Sequence, residues 1–369
     1  MKYLDEFRDG GLARGLAAAI AREVDPARAY RLMEFCGGHT HAIARYGLTG
    51  LLPANIQLIH GPGCPVCVLP VGRLQMAIEL ALRPGVILAS YGDMLRVPGA
   101  GGDSLLAARA RGADVRMVYA VDDALALARR HPQREVVFFA IGFETTTPPT
   151  AVAIRRAAAE GLGNFSVFCN HVLTPPAMAA ILDAPEGTRL DGIIGPAHVS
   201  TVIGTSPYAF VPERHGKPVM VAGFEPLDVL HAVRLLVAQL GAGHATVGNA
   251  YTRVVAEHGN RKAQALMDEV FTVREQFEWR GLGTLAHSAL RIRECYAAFD
   301  AERRFAPAEV AVTEHKGCEC PAILRGAKQP QDCRLFGGAC TPEHPLGACM
   351  VSSEGACAAH YLYGRWRAA

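Results

Sequence analysis

Between residues 55 and 225, short apolar runs that close on glycine-rich or polar turns alternate with helical stretches. The runs are IQLIHGPGC, GVILASYGD, VRMVYAVDD, VVFFAIGFETT, SVFCNHV, GIIGPAHVS and VMVAGFEP. Runs this short and this apolar suit strands buried on both faces, and strands alternating with helices build parallel sheets. In such sheets functional groups collect at the carboxyl ends of the strands. The reading is therefore doubly wound α/β architecture, and 369 residues are enough for two or three domains. VILASYGDMLR and VMVAGFEPLDVL have a similar make-up, which points to two related halves meeting near residue 130.

The flanks read differently. Phe7, Leu12, Leu16, Ala19 and Ile20 recur at helical spacing between charges, so an amphipathic helix is expected over residues 5–24, followed by a strand in AYRLMEF. Beyond Leu227 the pattern turns mainly helical, through LDVLHAVRLLVAQL, RKAQALMDEVF and the stretch from Ser288 to Phe299. From Glu314 onward Gly, Pro and Cys dominate. Such a stretch cannot easily build its own core, and metal ligation would supply the missing constraint.

Charge and hydropathy exclude several classes. A net charge of +2 with no Lys/Arg run among aromatics predicts no nucleic-acid surface. Asp5, Glu6, Arg8 and Asp9 interrupt what a secretory signal would need, and no apolar run reaches the roughly 18 to 20 residues of a membrane span. The expected address is cytoplasmic, with no membrane or nucleic-acid partner.

Eleven cysteines at that address are expected to bind metal or do redox chemistry rather than form disulfides. Six crowd into about the last fifty residues: Cys318, Cys320, Cys333, Cys340, Cys349 and Cys357. Thiolates at Cys318, Cys333, Cys340 and Cys357 suit a [4Fe-4S] cluster, with Cys320 and Cys349 left over. A zinc site is the alternative, although the paired Cys-x-x-Cys knuckles it usually needs are missing.

Cys64 and Cys67 form a Cys-x-x-Cys after a predicted strand, where helical amides near the first sulfur would lower its pKa and favour dithiol–disulfide exchange. Half of a zinc knuckle is the other reading. Cys36 ends another predicted strand and is followed by Gly37, Gly38, His39 and His41. A thiolate with imidazoles suits iron ligation or a Cys–His nucleophile, and both stay open at this level. The imidazoles of His39 and His41 suit hydrogen bonding or proton transfer, and His41 is equally compatible with a helix cap. Glu354, near the proposed ligand Cys357, is either a charge-placing group or a solvated turn carboxylate. GFETTTPP, NHVLTPP, GPAHVS and GFEPLD are further candidate site loops, while His171 and His198 also suit satisfied polar positions at strand ends. Cys169 and Cys295 are read as core thiols.

Taken together, FCGGHTH, GPGCPVC, SYGDMLRVPG, GFETTTP, GPAHVS, AGFEPLD and the terminal EHKGCEC, LFGGACTP and CMVSSEGAC resemble the HypD family of hydrogenase maturation factors, over about residues 30–363. That resemblance implies a scaffold on which the Fe(CN)2CO group of [NiFe] hydrogenases is assembled, with a HypC-type small chaperone and a HypE-type cyanide donor. Cys36 would be the iron ligand, Cys64 and Cys67 the thiol pair beside it, and Cys320 with Cys349 a second exchangeable pair next to the cluster. The expected fold is two related doubly wound α/β domains, 48–133 and 134–230, plus a mainly helical, cysteine-rich iron-sulfur domain made of 1–47 and 231–369, its cluster-binding region at 314–360. A stand-alone, cluster-dependent thiol–disulfide oxidoreductase is the rival reading, and a zinc-stapled interaction protein a third.

Overall fold

The computed structural model describes residues 5–184, 189–308, 312 and 315–364. Both ends of the expected third region, 1–4 and 365–369, and Glu314 lie outside them. Among the described residues, nine parallel strands carry the architecture: β1 Tyr30–Glu34, β2 Ile56–His60, β3 Val86–Ser90, β4 Asp114–Met117, β5 Glu135–Gly142, β6 Phe165–His171, β7 Gly192–Gly195, β8 Val219–Val221 and β9 Val247–Asn249. They form two sheets, one in the order β2-β1-β7-β8-β9 and one in the order β4-β3-β5-β6.

The apolar runs are continuous because both faces of each sheet are covered. In β5, Val136, Phe138 and Ala140 face one core, and Val137, Phe139 and Ile141 face the other. In the five-stranded sheet, Tyr30 and Leu32 pack under the helices Gly10–Glu23 (α1) and Pro226–Gly241, while Met33 and Ile193 face the opposite layer with Tyr208 and Val211. Asp9 starts α1 by accepting the Leu12 N–H at 2.8 Å, a helix N-cap.

The sheets do not follow a division at residue 133. That point falls between β4 and β5, which belong to one sheet, whereas β1 and β2 from the first sixty residues join β7, β8 and β9. Tyr30–Glu34 therefore lies inside an α/β sheet and not in a third, terminal domain. The register Leu32↔Gly192 shows why the chain must cross between layers twice.

The stretch after Leu227 is less helical than expected. Residues 271–292 hold two antiparallel pairs, β10 Phe271–Val273 with β13 Leu290–Ile292, and β11 Gln276–Trp279 with β12 Gly283–Ala286. Residues 294–299 are a 3-10 turn, which leaves Cys295 exposed rather than in the core, while Cys169 is buried as expected. The cysteine-rich segment has no separate core. Ile323, Leu324, Met350 and Ala358 share one cluster with Val66, Val68 and Trp279 and with the β5 face. Among the described residues, no helix is long and apolar enough to cross a membrane.

Candidate thiol and iron site

Cys36, Cys64, Glu144 and Phe224 all lie just past the carboxyl ends of strands, β1, β2, β5 and β8 respectively. Parallel sheets gather function there because helix N-termini and loops meet at that edge.

Cys36 is the extended N-cap residue of α2, Gly37–Tyr46. Its thiol accepts from the backbone N–H groups of Gly38 and His39. Burial nonetheless pushes this thiol well above its ordinary range, helped by the carboxylates of Glu354 and Glu34. The Glu34 carboxylate, missed in the sequence, is buried and organises the loop. It accepts from the Cys36 N–H at 2.9 Å, from the Thr40 hydroxyl, and from His60 Nδ1 at 3.0 Å. Its signal was only a carboxylate closing a strand that also carries Arg31.

Two glycines allow the approach. A Cβ on Gly63 would stand 2.4 Å from the Cys36 nitrogen, and one on Gly38 would stand 2.5 Å from the Phe224 ring. The Gly37 N–H donates to Gly63 O at 3.1 Å, so the Cys36 and Cys64 loops are joined backbone to backbone.

The histidines take different places. His39 is fully buried, and its Nε2 donates to Ala222 O at 3.1 Å and Gly223 O at 2.9 Å. Two carbonyl partners require the Nε2–H tautomer. Nδ1 is then a bare lone pair, without a hydrogen-bond partner, on a ring that burial holds below its ordinary pKa. His39 is thus an acceptor, with no N–H left for a diatomic ligand. His41 lies within α2 and caps nothing. Its Nδ1 reaches Ser353 O at 3.3 Å, and its ring meets Tyr363 edge-on. Glu354 sits directly over Gly37, its carboxyl raised by burial and by Asp93 and Glu34. It is mostly buried and not a solvated turn group. His198 packs on Phe224, with ring centres 4.1 Å apart.

The thiols form a connected series. Cys64 starts the short helix α3, Pro65–Val68, and its thiol lies 2.7 Å from that of Cys67. Through their thiols Cys67 interacts also with Cys349, Cys349 with Cys320, and Cys320 with Cys357. Burial pushes the Cys67 thiol up. Cys349 is held below its ordinary range by the thiols of Cys320 and Cys67.

Cys318, Cys320, Cys333, Cys340 and Cys357 line one small cavity, closed by apolar groups such as Leu335, Phe336 and Met350. Among the described residues, no three Cys, His, Asp or Glu side chains converge as a single ion requires. Thiols spread around an apolar hollow are soft ligands of the kind an iron-sulfur cluster takes. A Cβ on Gly347 would fall 2.4 Å from Cys318 Sγ, so this backbone closes directly on the sulfurs.

The family model HypD, described as the hydrogenase formation hypA family, matches residues 11–364. The chain is 67% identical over 373 residues to the hydrogenase expression/formation protein HupD of Azotobacter chroococcum, covering 100% of this chain and 98% of that protein. Identity to the hydrogenase maturation factor HypD of Azotobacter vinelandii is also 67%, with the same coverage. The HypD of Escherichia coli K12 is 46% identical over 368 residues, with 98% of each chain covered. With Cys36, the Cys64–Cys67 pair and the terminal cysteines all inside the matched span, the chain belongs to the HypD family of hydrogenase maturation factors.

Proposed function

We propose that the chain is a scaffold that holds iron on Cys36 while the Fe(CN)2CO group is assembled, with thiol redox assistance from Cys64 and Cys67. A HypC-type chaperone and a HypE-type cyanide donor are its expected partners. The observation that carries this reading is the unbroken thiol series Cys64, Cys67, Cys349, Cys320, which runs from beside the Cys36 loop to the cysteine-lined cavity.

Iron is the substrate here. The Cys36 thiol offers it a soft ligand, backbone N–H groups of Gly38 and His39 steady the sulfur, and Glu34 and Glu354 place negative charge around a cation. The bare Nδ1 of His39 is available to accept a hydrogen bond, and the apolar Phe224 ring limits water.

Cys349 touches both pairs, which is what thiol–disulfide exchange requires. Its thiolate attacks Cys67 of a Cys64–Cys67 disulfide, forming a Cys67–Cys349 bond and releasing Cys64, which takes up a proton. Cys320 then attacks Cys349, loses its proton, and releases Cys67 as a thiol, leaving Cys320–Cys349 oxidised. Two electrons and two protons return that disulfide to thiols. Cys318, Cys333, Cys340 and Cys357 would hold a [4Fe-4S] cluster, which when bound supplies single electrons.

The test is hydrogenase maturation with Cys320→Ser and Cys349→Ser chains that keep their iron and sulfide content. The reading expects maturation to fall at least about tenfold, a change of roughly 1.4 kcal/mol in the limiting barrier. Undiminished maturation contradicts it. A stand-alone oxidoreductase is separated from the scaffold by infrared bands of iron-bound cyanide and carbon monoxide, expected only of the scaffold.

A further inference from the structure

We infer that the large cleft at the amino ends of β1 and β7 binds a small polyanion, a molecule carrying two or more phosphate or carboxylate groups. The cleft encloses about 870 Å3, within the range of small-molecule sites. It lies at the end of the sheet away from Cys36. Arg31 and Cys36 are five positions apart along an extended chain, so about 16 Å separate them.

Among the described residues, Arg31, Arg189 and Arg325 line this cleft against one acid, Asp183. The Asp183 carboxylate already faces His215 Nε2 at 3.5 Å. Arg31 Nε is buried and has no hydrogen-bond partner, and a buried donor left unmade is costly. Arg325 uses Nη1 on Gly281 O at 2.6 Å, one of its five donors. Guanidinium forks match phosphate and carboxylate oxygens in pairs, so a cleft with three of them and one acid favours an oxyanion ligand.

The wall is held in place before any ligand arrives. Gly281 is tied to Arg325, and the neighbouring Arg280 N–H donates to Val68 O at 2.8 Å. A wall fixed at residues 280 and 281 costs little further ordering there on binding. This site is independent of the iron-handling reading, since none of its residues belongs to the thiol series.

Isothermal titration of the full chain with pyrophosphate, and separately with citrate, tests the assignment. Binding of at least one probe at one site per chain is expected, with a dissociation constant below about 1 mM. Stronger binding of pyrophosphate marks a phosphate ligand, and stronger binding of citrate a carboxylate. Arg31→Gln and Arg325→Gln should each weaken it about tenfold or more, while Arg130→Gln, far from the cleft, should leave it unchanged. If either variant fails to fold, as judged by circular dichroism, Arg189→Gln at the exposed rim replaces it with the same expected loss. Failure of both probes to bind, or binding that survives in the folded variants, overturns the assignment.

Discussion

The thiol of Cys67 interacts with that of Cys349, joining a loop at the end of β2 to the cysteine-rich terminus. Neither residue is notable alone. Their contact turns two separate cysteine groups into one path, and the first predictions follow from it.

Replacing Cys349 by Ser should leave the cavity cysteines in place, because Cys349 is not among the residues that line it. Iron and sulfide content after anaerobic purification should stay within experimental error of wild type. Replacing Cys333 or Cys340, which do line it, should remove both. Equal cluster loss in all three variants contradicts the separation of roles.

Thiol accessibility should be ordered by burial. Cys295 is the one exposed thiol, Cys318 and Cys333 are intermediate, and the other eight, including Cys36 and Cys67, are buried. Brief alkylation of the native chain followed by peptide mass mapping should label Cys295 first and leave Cys36 and Cys67 unlabelled until denaturant is added. Early labelling of Cys67 would contradict the packing of α3 against the terminal segment.

Two glycine substitutions should differ in a definite order. At Gly63 a new Cβ meets the Cys36 backbone nitrogen at 2.4 Å, whereas at Gly38 it meets the Phe224 ring at 2.5 Å. A ring can shift and a backbone amide cannot without moving its strand. Gly38→Ala should cost about 1–3 kcal/mol, as overpacking usually does, and Gly63→Ala more. Urea unfolding measures both, and the reverse order contradicts the loop geometry.

Two buried groups set opposite pH slopes. Burial holds His171 down at about 4, against 6.5 unfolded, and lifts Glu144 to about 7, against 4.5 unfolded. Below pH 6.5 the unfolded chain binds a proton that folded His171 refuses, so stability falls as pH drops from 6.5 through 4. Above pH 4.5 the unfolded chain releases a proton that folded Glu144 keeps, so stability falls as pH rises from 4.5 through 7. Each effect reaches roughly 3 kcal/mol at its limit. Glu144→Gln can still accept the Thr174 N–H that Glu144 accepts at 2.8 Å, while losing the titration. Unfolding at pH 5 and pH 8 should show the variant gaining on wild type at pH 8 by about 1–3 kcal/mol. An unchanged pH slope contradicts the assignment.

Much of this was legible in the sequence, for local reasons. Strands β3, β5, β7 and β8 lie in runs whose apolar character is nearly continuous, and α1 and the helix Pro226–Gly241 show a clear apolar stripe. The division between sheets was not legible, because Leu32 pairs with Gly192 and parallel pairing over such a distance leaves no local mark. The hairpins in 271–292 were hidden because strands of three or four residues, such as Leu290–Ile292, are too short to show alternation. At the site, Cys36, Cys64, Cys67 and the terminal cysteines announced themselves by residue type. Glu34 did not, since a carboxylate matters there only through the amide, hydroxyl and imidazole that fold onto it.

The most direct test is infrared spectroscopy of the anaerobic complex with the small chaperone, comparing wild type with Cys36→Ala. The account predicts bands of iron-bound cyanide and carbon monoxide in wild type and their loss in Cys36→Ala, with the circular dichroism unchanged. Bands that survive the substitution would contradict Cys36 as the iron anchor.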